Sequence, residues 1–156
     1  MEVAAFADIE SAFLERVHTM VWCNVATIDS QNRPRSRVLH PIWIDGTGWI
    51  ATRPSSHKAK HIAANPYVSL AYVADIAKPV YADCYAKWDD SAATKQWLWD
   101  QFLNAPPPLG YDPAPIFRSV DDPSFGVLKL TPWRIELAQF PAPPLVWHNP
   151  SVVAPR

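Results

Sequence analysis

Seventeen prolines against four glycines constrain this chain of 156 residues more than any other feature. Proline has no backbone N–H and a fixed φ, so it is kept out of helix interiors and central strand positions. Ten of the seventeen stand in two stretches, "APPPLGYDPAP" (105–115) and "PAPPLVWHNPSVVAP" (141–155). With so little glycine, both are expected to be stiff, extended connectors. We expect arms laid along a surface, with that of a second subunit as one candidate.

The rest of the chain carries regular patterns. "FADIESAFLERVH" (6–18) sets Phe6, Ile9, Phe13 and Val17 at helical spacing. "TMVWCNVATID" (19–29), "RSRVLHPIWID" (35–45) and "GWIATRP" (48–54) are expected strands, the last two joined by a hairpin turn at "DGTG". "HKAKHIAAN" (57–65) is an expected short helix closed by Asn65 and Pro66. Strands are expected at 67–73 and 79–88. A helix over 89–104 starts with acidic and hydroxyl residues, and two strands over 125–140 break near Pro132. Six or seven mostly antiparallel strands with peripheral helices point to a mainly β fold, a small barrel. Along 35–45, alternation puts Val38, Ile42 and Ile44 inside and Arg37, Leu39 and Trp43 outside, with a bulge or edge at Pro41. Nothing marks a domain boundary, so 1–156 is expected to be one domain with a C-terminal arm over 141–156.

Several functional classes are disfavoured. Fourteen basic and fifteen acidic residues leave a net charge of -1, unlike the basic excess of a nucleic-acid binder. No apolar run approaches the roughly 20 residues that span a membrane. The acidic start "MEVAAFADIE" lacks signal-peptide character, so a cytoplasmic location is expected. Cys23 and Cys84 are lone cysteines in strand contexts, expected to be buried free thiols. His57 and His61 have a metal-compatible spacing, but Lys58 and Lys60 repel a cation and no third ligand is evident. No metal is expected. His40 is expected to be a hydrogen-bonded core residue. Trp97 and Trp99, two apart on a helix, face different sides.

Chemistry concentrates in "TRPSSHKAKHIAANP" (52–66). Ser55 or Ser56 stands where a helix N-cap belongs, and the first N–H groups of a helix lack internal partners. Those donors and the positive end of the dipole form an anion site. Lys58 in the first turn conflicts with the dipole, and an anion relieves the conflict: a ligand phosphate, with water as the alternative. Arg37 can bring a guanidinium fork to the same place.

The segment "RPRSRVLHPIWIDGTGWIATRPSSHKAKHIAANPYVSL" resembles the flavin-binding segment of the pyridoxamine 5′-phosphate oxidase-like split-barrel family. There an Arg–x–Val–Leu-type strand, a hairpin, a threonine, Ser–x–Lys and a helix ending in Asn–Pro follow one another. The resemblance implies an antiparallel split β-barrel of six or seven strands, a homodimer, and FMN between the subunits. It implies phosphate contacts from Arg37, Ser56 and Lys58, with His57 where arginine is often found. It further implies ring contacts from Val38 and Leu39 through the backbone, with Ala51 and Thr52 on the opposite wall. Trp147 is then placed either over the partner's flavin or in plain packing. The Arg–Leu–His-type motif of true pyridoxamine phosphate oxidases is absent after "WRIEL", and Val80 or Tyr81 stands where a flavin-approaching glutamine is common. The chain is therefore more similar to the short, general-stress or "related" branch, and vitamin B6 synthesis is not expected. A flavin-dependent oxidoreductase with a small-molecule substrate is the leading expectation. Rivals are a deazaflavin-dependent reductase, a non-catalytic flavin or haem binder with His40 or His148 as axial ligand, and a barrel that serves only assembly.

Overall fold

The computed structural model describes residues 1–152, and its hairpin at Asp45–Gly46 has the geometry those residues favour. Both central residues have positive φ, 48° and 70°, as a two-residue turn between twisted strands requires. The turn joins β4 (Ile42–Ile44) to β5 (Thr47–Thr52). Ahead of them run β1 (Glu2–Val3), a 3₁₀ turn (Phe6–Asp8), α1 (Glu10–Met20), β2 (Cys23–Ile28) and β3 (Pro34–Leu39). After them come α2 (His57–Ala64), β6 (Tyr67–Tyr72), β7 (Val80–Trp88), α3 (Ala92–Asn104), α4 (Ala114–Phe117), β8 (Gly126–Gln139) and β9 (Ala142–His148).

The sheet is mixed and flanked by helices. It has nine strands, more than the six or seven expected, and the β1–β9 pair is parallel. Its main path runs β1-β9-β8-β7-β6-β2-β3, while β5 pairs with β8 and β4 with β5. The long β8 offers one edge to β7 and shares the other between β5 and β9. Consequently β3 and β4 belong to opposite ends of the pairing order, although only His40 and Pro41 separate them in the chain. The sheet must curl for both to hold. No ladder joins β3 to β4 or β5 among the described residues, so the curl keeps an open seam. On the free edge of β4 the Trp43 N–H donates instead to His18 Nε2 of α1, at 3.1 Å.

Three expectations need correction. Residues 125–140 form one strand, and Pro132 does not break it. A register shift opposite Asp83 and Cys84 accommodates Trp133 as a bulge. Of the arm expected over 141–156, Ala142–His148 is a strand of the chain's own sheet, and 153–156 lie outside the described residues. Pro143 and Pro144 fall in the irregular register between the Gln139–Ala142 and Leu137–Leu145 pairs, where no ladder N–H is needed. The first stretch, 105–115, also folds back on its own chain: the Tyr111 N–H donates to the Phe102 carbonyl at 2.9 Å. At Gly110 a Cβ would lie 1.9 Å from the Ala105 carbonyl oxygen, so only glycine fits there.

The alternation expected for 35–45 keeps its two sets but with the interior inverted: Leu39 and Trp43 face the main core, Ile42 and Ile44 face the second cluster, and Val38 is 61% exposed. Phe13 and Val17 of α1 pack with Trp43, Ile50, Leu70, Tyr72 and Leu128 in the main core. A second cluster, on the other face of β5 and β8, joins Leu98 and Phe102 of α3 to Leu109, Phe117, Phe125 and Val127. Trp97 packs edge-on to Trp49 and Trp99 to Phe125. Trp147 is 7% exposed and packs on Phe6 at 5.0 Å, so it belongs to the core and covers no ligand. Cys23 and Cys84 are buried free thiols.

Within the main core the Trp43 indole N–H donates to the Tyr72 hydroxyl at 2.9 Å, both side chains buried. Tyr72→Phe keeps the ring and removes that acceptor. It should cost about 1–3 kcal/mol, the penalty of one orphaned buried donor, measured as a lowered denaturant midpoint with an unchanged m-value.

Candidate functional site

Two neighbouring features lie beside the open seam: a cluster of cations and an apolar pocket. The cluster begins at β3. The Arg37 guanidinium donates to Thr27 Oγ1 at 2.7 Å and to the Val25 carbonyl at 3.1 Å. It thus lies along β2, half-buried, instead of reaching out into solvent. Thr27 is fully buried, and its hydroxyl is also 2.9 Å from His61 Nδ1, tying α2 to the strand that holds Arg37. Arg37 then lines a cavity of about 220 Å³ with Arg35, Ser36, His57 and His61.

The next part comes from the turn after β5. Ser56 occupies the N-cap of α2, but its hydroxyl does not cap the helix. It donates to the Arg53 carbonyl at 2.8 Å and accepts from Lys58 Nζ at 2.7 Å. The first-turn N–H groups of α2 therefore have no side-chain acceptor from Ser56. Lys58 is only 8% exposed and has no ion-pair partner among the described residues. Burial first, then the positive charges of Arg37 and Arg53, push its ammonium pKa down to about 8. Buried charge without a counter-charge is costly, and a bound anion is the chemical species that offsets it. His57, at the first helical position, is exposed and lines the same cavity.

The turn from β2 to β3 is held by Asp29. Its carboxylate accepts from the backbone N–H of Gln31 and Arg33 and from Arg33 Nε, at 2.9–3.0 Å. The Arg33 N–H is the main cause that lowers its pKa to about 2. This carboxylate also lies 3.9 Å from Arg35, but it makes no ion pair with Arg37, Arg53 or Lys58 among the described residues.

The apolar pocket encloses about 380 Å³ and opens at the seam. Val38, Leu39 and Ala51 form its strand wall, with Ala51 paired to Val127 in the sheet. Trp22, His40, Pro108, Tyr111, Ile116 and Phe117 form the rest. His40 has the hydrogen bond expected of it, with the Leu109 backbone, but its Nε2 is buried with no partner, among the rings of Trp22, Tyr111 and Phe102 at 5.0–5.5 Å. His148 lies on β9, exposed and 3.8 Å from Glu2, and does not line the pocket. Arg53 links the two features, since its charge acts on Lys58 and its guanidinium reaches the Ile116 carbonyl at 3.5 Å.

Of the residues singled out by sequence, Arg37, Ser56, His57 and Lys58 thus gather around the cationic cluster, and Val38, Leu39 and Ala51 around the pocket. Thr52 is buried beside Gly126 and lines neither. Sequence reasoning missed Thr27 as the link between Arg37 and His61 and missed the wall at 108–117. The only signal for that wall was the stiffness of the proline-rich stretch.

The family model for pyridoxamine 5′-phosphate oxidase matches residues 9–138, and the chain belongs to that family. No curated protein matches the sequence. Among solved structures, a protein related to general stress protein 26 from Clostridium acetobutylicum is 17% identical with a TM-score of 0.73, covering 92% of this chain and 96% of that one. A pyridoxamine 5′-phosphate oxidase-related, FMN binding protein from Nostoc punctiforme is 16% identical at 0.68, covering 96% and 93%. A heme binding protein from Mycobacterium smegmatis is also 16% identical, at 0.69, covering 94% of this chain and 59% of that one. At such identities the likeness establishes the general fold. No helix among the described residues is long and apolar enough to cross a membrane.

Lys58 makes the cluster visible to titration. Its pKa falls from 10.5 unfolded to about 8 folded, so between those values the unfolded chain binds more protons. Stability of the ligand-free protein should therefore rise as pH increases from about 8 to 10.5. Lys58→Met should flatten that rise in urea titrations across the window.

Proposed function

We propose that the chain is an FMN-binding flavoprotein, an oxidoreductase acting on a small molecule, and that two copies assemble around the cofactor. The observation that carries this reading is Lys58, buried beside Arg37 and Arg53 with no acid to offset it. A phosphate monoester, with close to two negative charges at neutral pH, suits those cations, the Ser56 hydroxyl and the N-terminus of α2. His57 stands at the cavity rim as a further donor. Val38 and Leu39 on one strand and Ala51 on another offer an apolar wall for a ring, and Thr52 supports it from the sheet. Val38 and Trp22, 61% and 60% exposed, lie where a second copy would cover the seam.

The residues present fit FMN. When bound, FMN supplies a redox couple that takes and returns a hydride or single electrons. The chain's part is to anchor the phosphate, orient the ring and exclude water. The absence of an Arg–Leu–His-type motif after Trp133 continues to argue against pyridoxamine phosphate as substrate. A deazaflavin cofactor would engage the cations by the same chemistry. One observation favours a haem-binding reading: the unpartnered Nε2 of His40 is a chemically suitable axial ligand.

Absorbance of the purified protein separates these readings. Flavin bands, or saturable titration with FMN in preference to a deazaflavin cofactor, are expected, and a Soret band would replace flavin by haem. Arg37→Ala and Lys58→Ala should each weaken FMN binding by about 1–3 kcal/mol. Unchanged affinity in both variants would remove the cationic cluster as the phosphate site.

A further inference from the structure

Beyond the cavity that Arg37 lines, a second cavity of about 320 Å³ is walled by Arg33, Arg35, Lys60, His57, His61 and Asp29. The two share Arg35, His57 and His61, so one continuous trough leads away from Arg37 toward the turn that joins β2 to β3. Neither Ser56 nor Lys58 lines its outer half. The trough follows from two sequence periods. Residues two apart on a strand share a face, which brings Arg33, Arg35 and Arg37 into one series that enters β3. At about 3.3 Å per residue that series spans roughly 13 Å of backbone, more than one phosphate group can engage. On α2, His57, Lys60 and His61 recur at the spacing of one helix face.

Charge and hydrogen bonding both leave this trough short of an acceptor. α2 holds two lysines, two histidines and no acid. His57, Lys58 and Lys60 fall in its first turn, where the helix dipole is already positive. Lys60 is exposed and makes no ion pair among the described residues. Arg33 meets Asp29 through Nε, and Arg35 stands 3.9 Å from the same carboxylate, so one acid faces three cations. Independently, Thr27 fixes the tautomer of His61. Its Oγ1 already accepts from Arg37 at 2.7 Å. Its single proton therefore goes to His61 Nδ1 at 2.9 Å, nearer than the Arg35 carbonyl at 3.5 Å. The neutral imidazole then carries its own proton on Nε2, a donor left for the cavity that His61 lines.

We propose that the outer half of this trough is a second anion subsite, which takes a phosphate group additional to the one assigned to Lys58 and Arg37. That group is either joined to the first, as in a diphosphate, or carried by a separate molecule bound beside the cofactor. Arg33 keeps its terminal amino groups for it, since the contact with Asp29 uses Nε. Arg35 offers a second guanidinium, Lys60 a point charge and His61 a neutral N–H. Asp29 accepts from the backbone of its own turn and from Arg33, so it orients one cation of the subsite, and its single charge leaves the cations in excess. The rank of this subsite as the second rests on the phosphate reading of Lys58 above; its preference for phosphate does not.

Flavin fluorescence and calorimetry on the full chain test this with FMN, FAD and inorganic phosphate as probes. If the two groups are joined, FAD should bind at least about tenfold more tightly than FMN. If they are separate, FAD should bind no more tightly than FMN, and the FMN-loaded chain should bind inorganic phosphate saturably. In either case Lys60→Ala and Arg33→Gln should each weaken the ligand of the second group, FAD or inorganic phosphate, roughly threefold or more. FMN affinity should stay unchanged in both. Arg33→Gln retains the backbone N–H that holds Asp29, so the turn is kept. FAD no tighter than FMN, together with no phosphate binding to the loaded chain, would overturn the proposal. So would indifference to both substitutions, or an equal loss for FMN, which would mark a diffuse positive field in place of a site. If no flavin binds, the flavin-free chain is titrated with inorganic phosphate. Two phosphates per chain, one lost in Lys60→Ala and the other in Lys58→Ala, would keep the subsite while the flavin reading falls; one phosphate or none would end both.

Discussion

Pro41 has no N–H to give a neighbouring strand, so the ladder that β3 makes with β2 ends at Leu39 and the chain passes into β4 at the other end of the pairing order. The sheet curls around that step and stays open along it. His18 of α1 takes up the Trp43 N–H that the missing partner strand would have engaged. The seam brings the end of β3 close to β5 without pairing them, and the apolar pocket lies between those strands. A closed ladder there would fill the gap with hydrogen bonds and leave no room for a ligand.

The second constraint is electrostatic. Arg37, Arg53 and Lys58 are each anchored by bonds to neutral oxygens that leave their charge unpaired: Thr27 and Val25 for Arg37, Ser56 for Lys58, the Ile116 carbonyl for Arg53. Hydrogen bonds to neutral oxygens fix geometry and leave the positive potential in place. Asp29 lies nearby, but its carboxylate is taken up by its own turn and by Arg35. The protein thus tolerates a depressed Lys58 pKa in its fold, as binding sites do when their stability is completed by a ligand.

Family membership supplies less than these local features do. The same general fold, at 16% identity, is seen in a protein described as FMN binding and in one described as heme binding. Fold alone therefore cannot choose the cofactor. The choice is made by the chemistry of the side chains: cations and a helix N-terminus for a phosphate, against an orphaned imidazole nitrogen for a metal or a polar ligand. Both occur here within one neighbourhood.

Much of this was legible in the sequence because it depends on neighbours along the chain. Asp45–Gly46 dictates its hairpin through φ alone, and Ser56, His57 and Lys58 are placed together by the start of one helix. The strands at 67–72 and 80–88 follow from local composition. Tertiary structure decided the rest. Pro143 and Pro144 sit in a strand because β8 supplies an irregular register opposite them. Trp147 is core because β9 pairs with β1, and Val38 is exposed because the main core forms on the face of Leu39 and Trp43. Thr27, which holds Arg37, meets His61 34 residues further along, and the pocket unites Trp22 with Tyr111 and Phe117. Local sequence specifies φ, caps and turns, whereas strand partners and pocket walls are chosen by long-range burial, which no stretch of neighbours encodes alone.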